Sequence, residues 1–326
     1  MNDGGEITDT FDCFGSTCAI LLSTDGQEAS ARDAVAEARR RLRSWHERFS
    51  RFLPDSELTL LNGDPRERVP VTRMMAAIAR ATCIAGAMSG GLIDATLVDQ
   101  IESAGYQSDL SQPLPLALAL RLAPPRRPAA PAVRAGWELL DLDAWGTTLS
   151  RPVGVKLDSG GLAKGLFADV LAATMTDRGS FAVNCAGDLA IGGREGVIRP
   201  VNVESPFDGS ILHTFNLKRM GVATSGIGRR SWLDADGRPA HHLLDPSSGR
   251  PAFTGVVQVT ALAPSALLAE IRAKAALLSG PGAADSWLPD GGVIVLDDGT
   301  HRVLEPGVTQ QTLSLHPVLS EPSHRG

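Results

Sequence analysis

Residues 155–193 read VKLDSGGLAKGLFADVLAATMTDRGSFAVNCAGDLAIGG. The extended apolar run Val153 to Leu157 predicts a strand ending in Asp158 and the pair Gly160–Gly161. A helical period then carries Lys164 and Asp169 until Gly179 stops it. A second strand, Phe181 to Asn184, runs straight into Gly187 and Asp188. Strand, glycine turn, helix, strand, glycine turn is an arrangement that offers bare backbone N–H groups to an anion. Glycine-rich turns alone equally suit an ordinary β-turn-α unit with solvated charges. The acid that closes an apolar strand and precedes two glycines, Asp158, is poorly explained by surface solubility.

Working outward, a short strand around Cys18 to Leu22 leads to an amphipathic helix with Val35, Ala38, Leu42, Trp45 and Phe49 spaced three and four apart. SRFLPDSELTLLNGDP then predicts a loop at Pro54 and a short capped turn ending at Asn62. A second helix covers Thr72 to Met88, with Gly90 at its end. Residues 111–135 are rich in proline and alanine and predict a long surface excursion. Short strands are expected at Trp137 to Leu142 and Thr147 to Leu149. Later segments near Val201, Leu212 to Leu217 and Val222 predict antiparallel pairing. The strand Val256 to Leu262 runs into a helix near Pro264, and strands Val293 to Leu296 and His301 to Leu304 follow. Strands and helices mix without strict βαβ alternation, so the expected class is α+β, with mixed or antiparallel sheets and packed helices. One domain is expected over residues 11–305, with a frayed tail at 306–326.

Composition narrows the function. The 326 residues carry a net charge of −6, with 43% hydrophobic and 21% charged residues, so a sizeable folded core is expected. There is no basic stripe, which argues against nucleic acid as a partner. Only four of the 31 basic residues are lysines, Lys156, Lys164, Lys218 and Lys274. No apolar run approaches the ~20 residues of a membrane span. The acidic start has no basic n-region, and Cys13, Cys18, Cys83 and Cys185 form no metal-finger or C-x-x-C spacing. The expected location is the cytoplasm.

Six segments in order then resemble those of the ApbE-type FAD:protein FMN transferases: PDSELTLLN, SGGLIDATLVDQI, LDSGGLAKG, GVATSGIGRRSW, HHLLDPSSGRPA and VVQVTALAPSALLAEIRAKAALLSG. The resemblance covers about residues 11–280. It implies a T-fold-like α+β domain that holds FAD in a cleft, with Mg²⁺ near the pyrophosphate. It also implies a reaction that moves FMN from FAD onto a threonine hydroxyl of an acceptor flavoprotein and releases AMP. By resemblance, Phe14, Leu92, Ile93, Asp94, Asp158, Lys164, Asp188 and Leu244 are the flavin-nucleotide contacts. Asn62 steers FMN to protein rather than water, and His242 and Asp245 sit in a loop that closes over the cofactor. The carbonyl of Gly161 helps to hold the metal.

The last segment departs from the family pattern. Where the family has Asp and Thr four residues apart as metal ligands, this chain has Glu270 and Lys274. Glutamate can still ligate Mg²⁺, but a protonated lysine cannot. Glu followed by Lys at i+4 also suits a helix-surface ion pair. A third reading has the Lys274 ammonium supply the positive charge that a metal would bring. Three activities follow as expectations: the transferase, with Lys274 joining its catalytic set; an FAD-binding protein without catalysis; and an FAD pyrophosphatase giving FMN and AMP.

Overall fold

A computed structural model describes residues 5–108, 110, 112–193 and 197–306. Its framework is an eight-stranded sheet whose strands lie side by side in chain order: β1 (Glu6–Cys13), β2 (Ser16–Ser23), β3 (Phe181–Cys185), β4 (Asp188–Gly192), β5 (Met220–Gly226), β6 (Val256–Ala263), β7 (Gly292–Leu296) and β8 (His301–Leu304). Every neighbouring pair is antiparallel. Such a meander needs no crossover, so long insertions can hang from the strand ends without disturbing the ladder.

The largest insertion, between β2 and β3, contains α1 (Glu28–Phe49), α2 (Glu57–Gly63), α3 (Arg73–Met88), α4 (Val98–Ser103), α5 (Leu116–Leu122) and α6 (Ala163–Met175). The expected stripe of α1 is buried: Val35, Ala38, Leu42, Trp45 and Phe49 face the core. Hydroxyls start two of these helices, Ser56 accepting from Thr59 N–H and Thr72 from Met75 N–H. A seventh helix, α7 (Ala266–Ser279), follows β6, is capped by Ser265 and packs on β5, β6 and α6. One continuous apolar core runs from Phe11 to Val295.

The pairings Ala19↔Asn184 and Met220↔Ile191 place the β1–β2 tip, the β3–β4 tip and the end of β5 at one end of the sheet. The insertion between β5 and β6, residues 227–255, emerges there too. That end carries the candidate site.

Three sequence expectations change. Val153 to Leu157 is not a strand; among the described residues it pairs with no neighbouring strand, and it is held instead by a side chain, described below. Trp137 to Leu142 begins as a 3-10 turn, Gly136–Leu139, and only Asp141–Leu142 pair. The proline-rich excursion contains α5, and beyond it the chain is strapped down: Arg127 N–H donates to Phe253 O and Ala129 N–H to Leu278 O. The tail expected to fray at 306–326 lies, apart from Pro306, outside the described residues.

Asp169, carried by the helical period, joins α6 to α7. Its two oxygens accept from Ala266 N–H at 2.8 Å and Leu267 N–H at 2.9 Å, capping α7. Burial pushes its carboxyl up to about 6, against those two N–H bonds. The unfolded carboxyl loses its proton near 3.8 and the folded one near 6. Between these values unfolding releases a proton, so this group's contribution to stability is greatest below about pH 4 and falls as pH rises through 6. Asp169→Asn is expected to remove that downward slope, on the order of 2–3 kcal/mol, from a series of urea titrations between pH 4 and pH 8. An unchanged slope in the variant would assign the pH dependence to another group.

Candidate active site

The site begins with two hairpin tips. Phe14 (φ 56°) and Gly15 (φ 67°) close β1–β2, and Ala186 (φ 55°) and Gly187 (φ 104°) close β3–β4. Two-residue hairpin turns with both residues left-handed match the twist of the strands, but a phenylalanine there is strained by on the order of 1 kcal/mol. Its surroundings hold it: the ring lies 5.1 Å from His46 and 5.7 Å from Phe167, and Arg230 donates to its carbonyl at 3.3 Å. The strained turn aims an aromatic side chain into the cleft.

Across from the tips, the glycine turn is shaped from behind by Asn62. Its Nδ2 donates to Leu157 O and its Oδ1 accepts from Leu157 N–H, both at 2.8 Å, so one amide side chain does what a neighbouring strand would do. Asp158 N–H then donates to Ala95 O at 2.8 Å, and Asp158 Oδ1 accepts from Gly160 N–H at 2.9 Å. Arg51 Nε stands 3.9 Å from the same carboxylate. A Cβ on Gly161 would meet nothing within 4 Å, so the backbone there opens onto the cleft.

Beneath the turn lie four buried or nearly buried charges. Lys164 Nζ is 3.2 Å from Asp188 Oδ2 and 3.9 Å from Glu270 Oε1. Glu270, 1% exposed, accepts from Lys274 Nζ at 2.8 Å on Oε1 and from Gly165 N–H at 3.0 Å on Oε2. Glu270 therefore caps the first turn of α6 while neutralising a lysine of its own helix. Burial alone would lower Lys164, but Asp188 and Glu270 outweigh it and hold the ammonium above its usual range. Burial, and then Glu270, push Asp188 up to about 7 despite Lys164. Burial opposes the charge on Glu270, yet Lys274 and Lys164 keep it ionised and below the ordinary carboxylate range.

The cleft has two connected lobes. Leu92, Ile93, Asp94 and Leu244 line the first, whereas Phe14, Phe52, Tyr106, Phe167 and Arg230 line the second. Asp158, Gly161, His242 and Lys274 border both and form the joint. The second lobe is an open-mouthed hollow of about 820 Å³, counting the space that opens to solvent. His242 Nδ1 is buried and has no hydrogen-bond partner among the described residues. Burial, then the neighbouring Arg230, His241, Lys274 and Lys164, hold its imidazole neutral, well below the usual histidine range. In the first lobe Asp94 accepts from Thr96 N–H at 2.8 Å and Gly136 N–H at 3.3 Å.

Of the residues singled out from sequence, Asn62, Asp188, Glu270 and Asp245 do not border the cleft. Asp188 and Glu270 bond to lysines that do, and Asn62 holds Leu157, the neighbour of Asp158. Asp245 is an organiser of the chain around it, accepting from Arg127 at 2.8 Å, Ala130 N–H at 3.0 Å and the Ser247 and Ser248 hydroxyls at 2.8 Å. Although burial opposes the charge, these donors hold its carboxyl at about 2. The surface reading of the Glu270–Lys274 pair is overturned by its burial. Arg51, Tyr106 and Arg230 are cleft residues that sequence reasoning missed. Arg230 lies inside a quoted segment, but Arg51 and Tyr106 belong to irregular chain where no periodicity marks them.

Comparisons with known proteins agree with this architecture. The ApbE family model matches residues 14–295. An FAD:protein FMN transferase of Rhodobacter capsulatus is 29% identical over 291 residues, 84% of this chain and 52% of that protein. This chain thus spans about half the length of that relative. An FAD:protein FMN transferase of Salmonella typhimurium is 27% identical over 260 residues, 77% of this chain and 67% of its own. The crystal structure of the ApbE protein from Thermotoga maritima superposes with a TM-score of 0.75 at 25% identity, covering 92% of this chain and 97% of that one. The apo flavinyl transferase ApbE of Pseudomonas stutzeri shares the fold at 22% identity and a TM-score of 0.73, over 92% and 95% of the two chains. With most of its length matched by the family model and its fold shared with these structures, the chain belongs to the ApbE family.

Proposed function

We propose that this protein moves FMN from FAD onto a threonine hydroxyl of an acceptor flavoprotein and releases AMP. The observation that carries this reading is the joint of the cleft. Lys274 and a neutral His242, whose Nδ1 has no hydrogen-bond partner among the described residues, sit where two adjoining lobes meet, one for each end of a dinucleotide, with Lys164 in the second lobe. In the reaction the threonine Oγ bonds to the FMN phosphorus as the bridging P–O bond breaks. AMP departs with the bridging oxygen, and His242 is the candidate acceptor for the hydroxyl proton. Asp158, Asp94 and Leu244 line the walls against which the nucleotide ends would rest, and Asn62 fixes Asp158 through Leu157. The catalytic demand is alignment, charge neutralisation and exclusion of water, which a preorganised cleft supplies.

Mg²⁺ does not fit the residues present. Glu270 accepts from Lys274 on one oxygen, with Lys164 3.9 Å away, and from Gly165 N–H on the other, so two cations already stand where a metal ion would. Among the described residues no group of three His, Cys, Asp or Glu side chains could hold a metal ion. No helix among the described residues is long and apolar enough to cross a membrane. The continuous core supports residues 11–305 working as one domain. The four unpaired cysteines support a reducing compartment, and we infer the cytoplasm; recovering the native protein with these cysteines bridged would overturn that.

The test is to incubate the chain with FAD and a domain carrying a flavinylation threonine, then weigh the acceptor by mass spectrometry. Addition of FMN supports the reading; FMN and AMP released to water with no adduct would make the protein a pyrophosphatase, and intact FAD would make it a binder. Fluorescence titration is expected to show FAD bound at least about tenfold more tightly than FMN, a difference of ~1.4 kcal/mol, with Lys164→Ala narrowing the gap. Equal affinities in the unaltered protein would mean that the diphosphate is not recognised.

A further inference from the structure

We infer that Lys274, with Lys164 and Arg230, forms a diphosphate site that works without a divalent cation. The inference rests on the reading of the cleft as an FAD site, but its own grounds are the placement of the charges. Lys274 is 7% exposed and lies in the middle of α7, yet it borders both lobes of the cleft. A buried lysine is costly to keep charged, so its retention needs a partner or a ligand. Glu270 takes one of its three N–H donors; among the described residues no other hydrogen-bond partner of this ammonium is found, and the remaining donors stand at the joint. Lys164 and Arg230 both border the second lobe, and Gly161, which borders it too, leaves its backbone open.

Glu270 already faces two cations. Its Oε1 accepts from Lys274 and lies 3.9 Å from Lys164 Nζ, and its Oε2 accepts from the first turn of α6, so a metal ion ligated there would stand against two ammonium groups. The anionic partners Glu270 and Asp188 instead lie behind the lysines, where they pair with both ammonium groups and fix them. A diphosphate entering the joint then meets cations already in position, with no ion to recruit. Such preorganisation is what a charged transition state requires.

The test uses the full chain stripped of metal by dialysis against EDTA. FAD and inorganic pyrophosphate are titrated in EDTA and again with excess Mg²⁺, while Mn²⁺ uptake is followed by its electron paramagnetic resonance signal. Expected results are affinities that agree within about twofold across the two conditions and Mn²⁺ that remains free with and without FAD. Lys274→Met should weaken FAD at least about tenfold, as loss of a charge-assisted hydrogen bond predicts. Because that variant strands Glu270, Glu270→Gln/Lys274→Met is measured beside it, with circular dichroism as the check on folding. Pyrophosphate bound in EDTA without FAD binding would sink the flavin reading and leave the lysine site standing. Binding that appears only with Mg²⁺, absence of binding by both ligands, or wild-type affinity in a folded Lys274 variant would overturn the inference.

Discussion

Replacing Gly165 by alanine is expected to destabilise the protein by about 2–4 kcal/mol, although alanine is the better helix former by ~1 kcal/mol. A Cβ at this position would lie 2.7 Å from Ala266 O, 2.8 Å from its carbonyl carbon and 2.9 Å from Leu267 Cα. These are backbone atoms in the first turn of α7 and have no rotamer to escape into. The two helices must separate, and the bond from Gly165 N–H to Glu270 stretches with them. Overpacking and helix propensity thus oppose each other, and the crowding is expected to win. Urea denaturation measures the balance through the midpoint. A variant as stable as the parent, or more so, would show that α6 and α7 can move apart freely.

Replacing Glu270 by alanine is expected to cost about 3–5 kcal/mol, the range for breaking a buried ion pair from one side. Lys274 would keep its burial and lose its near counterion, and Gly165 N–H would lose its acceptor. Glu270→Gln retains an acceptor for that N–H and should cost less. The decisive comparison is the double change Glu270→Gln/Lys274→Met, which removes both charges and should recover much of the stability. It should not recover FAD binding. Stability and binding moving apart in this way would identify the pair as a device kept for its ligand rather than for the fold. If the single and double variants are equally unstable, the loss is one of packing and not of charge.

Much of this molecule is legible without coordinates. The stripe Val35, Ala38, Leu42, Trp45 and Phe49 specifies one buried helix face by spacing alone, and the whole stripe is buried. Ordered motifs pointed to His242, Asp158, Gly161 and Lys164, and all four border the cleft. Local chemistry suffices for these, since helix periodicity, glycine turns and caps act over a few residues. The Val153–Leu157 run was misjudged because a β-like pattern does not reveal whether a strand or a side chain pairs with it. The partner, Asn62, is 95 positions away.

The sequence by itself determined the order of the elements, the α+β class, the glycine turn and the residue types available to the site. Tertiary structure alone decided which charges are buried and which face a ligand. Glu270 and Lys274 read the same on an exposed helix and on a buried one, because four residues is one turn in either case. A hint was present, since α7 is apolar on nearly every side and such a helix belongs in a core. Only the packing of α6 against it, through the bare backbone of Gly165, brings Lys164 up to the pair, while the β3–β4 hairpin brings Asp188 to Lys164. Burial is conferred by neighbours distant in the chain. The same two residues that would contribute a few tenths of a kcal/mol in water become, once water is excluded, a fixed charge pair at the joint of the cleft.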